Sequence, residues 1–559
     1  VSPARLGCLL ALALLATAAA PVQALGANQS NASSEGAELI ATLPNPRADG
    51  DAGEWVTVAI PAGTNVSGWG IADGESVARL PNRTIAGTVL LTTAPEAVQT
   101  PPENHRVLRL SGYLALANAG ERIELRADGA VLDTLTYRDA PEGEVYRRTA
   151  SGWTWRSPGT TDLVPAVASD VPAALFVLPD APSQPITAIA SARQRVLLGA
   201  YTFASPRATR TLCAATDRGV DVRVLVDADP VGGFSRTSVS RLNALVDCGV
   251  RVRAIGGPGG RYATHHPKYA VVDDRALVLS ENWKPAGTGG HSSRGWGVVL
   301  DSPRVADALA ETFAADAGFR DVRPWPAVAE VVESEALPPA NGSFPARFGP
   351  ENATLDRVEL LVAPDNAEDG IVALLDGAEQ SVKIQQVSIG ARDHPFVNAT
   401  VRAARRGVSV SVLLSSAWYV REDNQVLVEW FDRLAREEGL PIAARLVTPR
   451  SRFEKSHVKA VLVDDRAAVV GSLNWNAHAT RENREVLVVL HDPEAAAYYG
   501  AVFDADWTGG VWRLPTGVGV VTGIAMVLAS VRLWRSVRFV GREGDSHSLS
   551  DGSAMDTGW

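Results

Sequence analysis

His266-Pro267-Lys268-Tyr269-Ala270-Val271-Val272-Asp273 decides the fold, because it returns 191 positions later as His457-Val458-Lys459-Ala460-Val461-Leu462-Val463-Asp464. With nine His and five Lys in 559 residues, only about 0.08 His-x-Lys pairs would arise by chance. Two such pairs, each with Asp at the same later position, therefore mark a repeat. The apolar, β-branched run after each Lys reads as a strand. Residues i and i+2 of a strand point to one face, so each imidazole projects beside its ammonium. The Asp falls where Asp273-Asp274-Arg275 and Asp464-Asp465-Arg466 reverse the chain.

The repeat extends well beyond these hairpins. Residues 186–203 match 371–389, 214–229 match 403–416, 247–250 match 437–440, and 299–318 match 489–506. Helix ends followed by Gly and then β-branched strands alternate throughout, which predicts an α/β fold with a mixed or parallel sheet. Repeat one is expected over 172–320 and repeat two over 356–508, separated by a Pro-rich linker at 321–355.

The chemistry suits a phosphate. Imidazole titrates near neutrality, so one His can attack phosphorus while the other protonates the leaving oxygen. Lysine ammoniums and Asn amides can stabilise charge on the equatorial oxygens. A His-Lys pair is a poor metal site because the ammonium repels a cation, and no cofactor is expected. After the second hairpin, Gly471-Ser472-Leu473-Asn474 predicts a turn placing an N–H, a hydroxyl and an amide beside the same pocket. The first copy reads Leu279-Ser280-Glu281-Asn282, one residue shorter and without Gly, so the pattern does not place Ser280 as it places Ser472.

The H-x-K-x(4)-D…G-S-x-N pattern resembles the phospholipase D superfamily over most of 172–508. The resemblance implies two α/β repeats forming a pseudo-dimer, packed face to face, with one active site astride their pseudo-twofold axis and a phosphohistidine intermediate. It implies a site of His266, Lys268 and Asn282 with His457, Lys459, Ser472 and Asn474. Asp273 and Asp464 would join it in a supporting role. In that family an acidic or amide group beyond the Asn of one half orients the His of the other. Copy two supplies Glu485, in Asn483-Arg484-Glu485. Copy one has Arg294-Gly295-Trp296-Gly297 there, without a carboxylate. This makes His266 the nucleophile and His457 the general acid.

Residues 36–160 are strand-rich, with alternating runs such as Arg122-Ile123-Glu124-Leu125-Arg126 between Gly, Asp, Asn and Pro turns. An all-β sandwich follows. Glu38-Leu39-Ile40 through Asn45-Pro46, Gly68-Trp69-Gly70 and the run at 116–125 resemble a lamin tail domain, which implies an immunoglobulin-like accessory module.

At the N-terminus, Arg5, an apolar run at 6–20 and Val22-Gln23-Ala24 read as a secretory signal, 1–24. Near the other end, 514–531 carries no charge, Trp512 and Trp534 stand at its edges, and Arg532, Arg535, Arg538 and Arg542 follow. This predicts a single transmembrane helix with a cytoplasmic tail at 532–559. The whole is then a multi-domain, single-pass cell-membrane protein with its catalytic ectodomain outside. Seven N-x-S/T sequons agree with export, and Cys213 and Cys248 either pair or stay as buried thiols.

The formal charge of −10 gives no global attraction to polyanions, so phosphate binding must be local. The expected partner is a phosphodiester substrate, phospholipid first; no obligate protein partner is evident. An extracellular endonuclease of the same superfamily and a non-catalytic surface binding protein are the alternatives.

Overall fold

In the computed structural model the described residues are 36–509, apart from 47, 99–104, 151, 258 and 259, together with 526–533 and 535. The N-terminal region is all β. A six-stranded and a four-stranded sheet enclose one core that includes Leu39, Val58, Trp69, Leu91, Ile123 and Leu125. The alternation read at 122–126 works as a strand should: Ile123 and Leu125 are buried, while the charged residues between them are not. The likeness to lamin tail domains remains that of the motifs quoted above.

The two repeats build one continuous mixed sheet. In repeat one, Arg195–Ala200, Asp221–Asp227 and Arg251–Ile255 run parallel, and Arg195–Ala200 then pairs antiparallel with Lys268–Val272. In repeat two, Ser381–Gln386, Ser409–Leu414 and Ile442–Leu446 are parallel, and Ser381–Gln386 pairs antiparallel with Ala460–Val463. The repeats meet where the long strands Ala166–Leu178 and Glu351–Ala363 pair antiparallel. The strand order therefore reads the same from either side of this seam.

Residues of both repeats share a core: Leu175, Trp296 and Phe313 of the first join Val458, Val486 and Tyr499 of the second. Helices Pro303–Ala317 and Pro493–Thr508 both contribute to it. Burying each repeat's apolar face against the other's is what fixes the pseudo-twofold arrangement. Of the stretch read as a linker, the first part folds onto repeat one: Val322–Pro324 pairs with Arg251–Ile255, and Trp325 is fully buried. Cys213 and Cys248 form a disulfide between two helices of repeat one.

The C-terminal transmembrane helix is corrected. Among the described residues no helix is long and apolar enough to cross a membrane. Of 514–531, only 526–531 is described, as part of a short exposed helix, and the remainder lies outside the described residues. So do the signal segment and most of the C-terminal tail. The overturned reading rested on an uncharged stretch and its Trp and Arg flanks, and the described helical length does not reach the roughly 20 residues that a span requires.

Candidate active site

His266 enters its strand under the control of the other repeat. Its N–H donates to the Arg484 carbonyl at 3.0 Å. Its Nδ1 lies 2.8 and 3.0 Å from the two carboxylate oxygens of Glu485. The Ser472 hydroxyl donates to Glu485, and the Asn483 amide approaches it at 3.4 Å. With its Nδ1 proton directed at the carboxylate, the imidazole leaves Nε2 with a free lone pair. Lys268 Nζ donates to the His266 carbonyl at 2.6 Å, and the Tyr201 ring stands edge-on to the imidazole at 4.7 Å.

The second imidazole is held reciprocally. His457 N–H donates to the Arg294 carbonyl at 2.9 Å, and its Nδ1 meets the Ser280 carbonyl at 3.0 Å. Lys459 Nζ donates to the His457 carbonyl at 3.0 Å and lies 3.2–3.3 Å from the ring nitrogens. Each His is thus fastened by the opposite repeat, and each Lys folds back on its own His.

The register settles the place of Ser280. Val272 pairs with Arg275, leaving a two-residue turn, whereas Val463 pairs with Ala467, leaving three. The missing residue of copy one is therefore in the hairpin turn, far from the site. Ser280 N–H donates to Trp296 O as Ser472 N–H donates to Val486 O. Trp296 N–H donates to Ser280 Oγ as Val486 N–H donates to Ser472 Oγ. The two serines are equivalent, and Leu279 stands where copy two has Gly471. The serines also correct the expectation of free donors: both N–H groups are spent in the sheet, and Ser472 Oγ is committed to Glu485. Asn282 is buried, Asn474 half-buried, and neither Oδ1 has a partner within the protein.

Burial sets the electrostatics. It pushes both imidazoles well below their usual range, with Lys268 and Lys459 adding to the shift, so both rest neutral near neutral pH. Burial pushes the Glu485 carboxyl up to about 8 against the pull of Lys268 and Ser472, and lowers Lys459 to about 8. Buried, mutually coupled groups of this kind concentrate at reactive sites.

Asp273 and Asp464 are placed elsewhere, which corrects their inclusion among the site residues. Both lie at the far ends of their strands, roughly 20 Å along the chain from each His at strand rise. Asp273 accepts the N–H groups of Arg193, Gln194 and Arg195 at 2.8–3.0 Å. Asp464 likewise accepts those of Glu379, Gln380 and Ser381 at 2.7–2.9 Å. Burial raises both carboxyls, but these bonds outweigh it and hold them below the usual range. The two carboxylates tie a hairpin turn to the start of the neighbouring strand.

Sequence reasoning missed Tyr201, Lys284, Lys455 and the position of Glu281. The signal for the lysines was present: four of the chain's five lysines, 268, 284, 455 and 459, act electrostatically on the buried Glu281 in the site.

Comparison with known proteins now bears on this geometry. A family model described as cardiolipin synthase, PLD-like domain, matches residues 186–317 and 371–507. Cardiolipin synthase B of Salmonella typhi is 26% identical over 321 residues, covering 55% of this chain and 72% of that protein. Phospholipase D of Rickettsia typhi is 27% identical over 129 residues, covering 23% and 57%. Among solved structures, phosphatidylserine synthase of Haemophilus influenzae Rd KW20 aligns with a TM-score of 0.43 at 16% identity, covering 58% of this chain and 84% of that one. The two matched segments are the two halves of the sheet that carry the His-Lys pairs, and through them the chain belongs to the phospholipase D superfamily.

Proposed function

We propose that this protein is a phospholipase D-type phosphodiesterase that cleaves a phospholipid through a phosphohistidine on His266. The observation that carries the reading is the reciprocal fastening of the two imidazoles: His266 by Glu485 of repeat two, and His457 by the Ser280 carbonyl of repeat one. Two separate sites would not need each repeat to hold the other's His.

In the first step Nε2 of His266 attacks phosphorus, the P–O bond to the leaving group breaks, and His457 gives its proton to the departing oxygen. Lys268, Lys459, Asn282 and Asn474 donate to the equatorial oxygens. In the second step His457 takes a proton from water or an alcohol, whose oxygen attacks phosphorus and frees His266. A phosphodiester anion in the pocket favours protonation of His457, offsetting the burial that keeps the unliganded ring neutral.

Two features support a lipid substrate. Trp418 is 87% and Val231 88% exposed, and both stand in loops beside the site. Val231 N–H donates to the Tyr201 hydroxyl, while Trp418 packs on Tyr419, whose ring lies under Lys455. The names of the cardiolipin synthase and phospholipase D relatives agree. The Cys213–Cys248 disulfide supports an oxidising compartment.

The test offers purified protein phospholipid vesicles, a chromogenic bis-ester of phosphate and single-stranded DNA, with a chelator present. Headgroup release or transfer to added glycerol, together with cleavage of the bis-ester, is the expected result. Cleavage of DNA with no action on vesicles would make the protein a nuclease, and silence on all three a binding protein. Loss of activity with chelator would contradict a metal-independent reaction.

A further inference from the structure

Glu485, the carboxylate that holds His266, begins the strand Glu485–His491. Hydrogen bonds matching Ser472 and Val486 to Ser280 and Trp296 make Gly295 the counterpart of Glu485 and Glu281 that of Leu473. Repeat two therefore has a carboxylate at the first position and Leu at the second. Repeat one has Gly at the first and a carboxylate at the second.

The two positions are coupled in space. A Cβ on Gly295 would lie 2.2 Å from Glu281 Cγ and 3.0 Å from its Cδ and Oε1. A Cβ on Gly287 would lie 2.7 Å from Glu281 Oε2. The Glu281 side chain thus fills the room that a side chain at 295 would need, and two glycines clear it. Its carboxylate is 2% exposed, with Oε2 3.5 Å from His457 Nδ1. Oε1 has no hydrogen-bond partner in the protein. Leu473, by contrast, packs into the core of repeat two. A buried carboxylate left half-satisfied is costly, and Leu would fit the fold at that position without the cost.

We infer that Glu281 is the positioning carboxylate of His457, serving it from one strand over as Glu485 serves His266. The Ser280 carbonyl orients Nδ1, and Glu281 supplies the counter-charge for the imidazolium a general acid must form. That charge is needed because His457 faces Lys459, Lys268, Lys284 and His266, which with burial all disfavour its protonated form. Glu281 itself faces Lys459, Lys284, Lys455 and Lys268 and lies near Tyr419. Burial outweighs the lysines and raises its carboxyl to about 7. The site is then symmetric in its carboxylates although the sequence is not.

The catalytic consequence rests on the phosphodiesterase reading; the pairing itself does not, and the test separates them. Glu281→Gln keeps the shape and removes the charge. On the chromogenic bis-ester its kcat is expected to fall about 100-fold with KM within about threefold, and the alkaline limb of the kcat profile to move to lower pH. Glu281→Leu combined with Gly295→Glu rebuilds the arrangement of repeat two, and is expected to recover at least tenfold over Glu281→Leu alone. In full-length protein labelled with ¹⁵N-histidine, the His457 ring signals should follow the ionisation of Glu281 at about pH 7, a step that Glu281→Gln abolishes. If wild type is inactive but that step is lost, the phosphodiesterase reading fails and the pairing stands. A step unchanged in Glu281→Gln overturns the pairing, as does an active wild type whose kcat and pH profile Glu281→Gln leaves unaltered.

Discussion

Replacing His266 by Asn is expected to lower kcat on a chromogenic phosphodiester by about 10⁴-fold or more while leaving the fold intact. The Nδ1 of the imidazole is engaged by Glu485 at 2.8 and 3.0 Å, and its Nε2 is left to attack. The nearest side chains are committed elsewhere: the Tyr201 hydroxyl accepts the Val231 N–H, and Lys268 is folded back on the His266 carbonyl. Removing a nucleophile from a covalent mechanism removes the pathway and leaves only binding and electrostatic stabilisation. Asn is the substitution of choice because its amide still donates towards the buried Glu485 carboxylate. Steady-state kinetics with circular dichroism as a folding control measures the effect, and a residual rate within tenfold of wild type would rule His266 out as nucleophile.

The largest stability effect is expected at Arg484. The guanidinium is fully buried and donates to Asp316 at 2.9–3.2 Å, to Asp365 at 2.7 Å, to the Ala363 carbonyl at 3.1 Å and to Thr161 Oγ1 at 2.8 Å, with a further bond to the Tyr262 hydroxyl. Burial alone would raise the Asp316 carboxyl, but Arg484 and His265 hold it down at about 2. Arg484→Ala leaves Asp316 and Asp365 buried without their cation, a loss of about 3–5 kcal/mol. It also frees the peptide whose carbonyl accepts the His266 N–H and whose next residue is Glu485, so activity should fall together with stability. Denaturant unfolding would show this as a lower midpoint, and a change under about 1 kcal/mol would contradict it. With a folded-state pKa below the unfolded value, Asp316 contributes stability that is complete above about pH 4 and is lost as pH falls towards 2. In Arg484→Ala that acid limb should move to higher pH.

Much of this was legible in the residues. Two His-x-Lys pairs at matched distances from an Asp were enough for the repeat and the hairpins, although His266 and the segment 457–459 stand just before the strands Lys268–Val272 and Ala460–Val463 rather than within them. Glu485 followed from the family resemblance, which implies an orienting group beyond Asn474. The turn position of Asp273 and Asp464 and their supporting role were legible, whereas the N–H groups of 193–195 and 379–381 that they bind were not, because these come from the neighbouring strand. The one-residue difference between the copies was visible, but sequence alone could not place it. Only the strand pairing puts it in the hairpin turn, restoring Ser280 to the position of Ser472. Glu281 was given no role, because sequence does not reveal that Gly287 and Gly295 open the space it fills. At 514–531, uniform apolarity was taken for a span that no described helix provides.

The proposed covalent phosphohistidine sits on one identified ring, His266. Full-length His457→Asn and His266→Asn, each mixed with a phosphodiester bearing a nitrophenolate leaving group and quenched at alkaline pH, can be digested and read by mass spectrometry. The leaving group departs without an acid, while release of the intermediate needs His457 as base, so His457→Asn should carry a phosphoryl group on His266 and His266→Asn should carry none. A phosphoryl group on His457 in His266→Asn, with none in His457→Asn, would contradict the assignment.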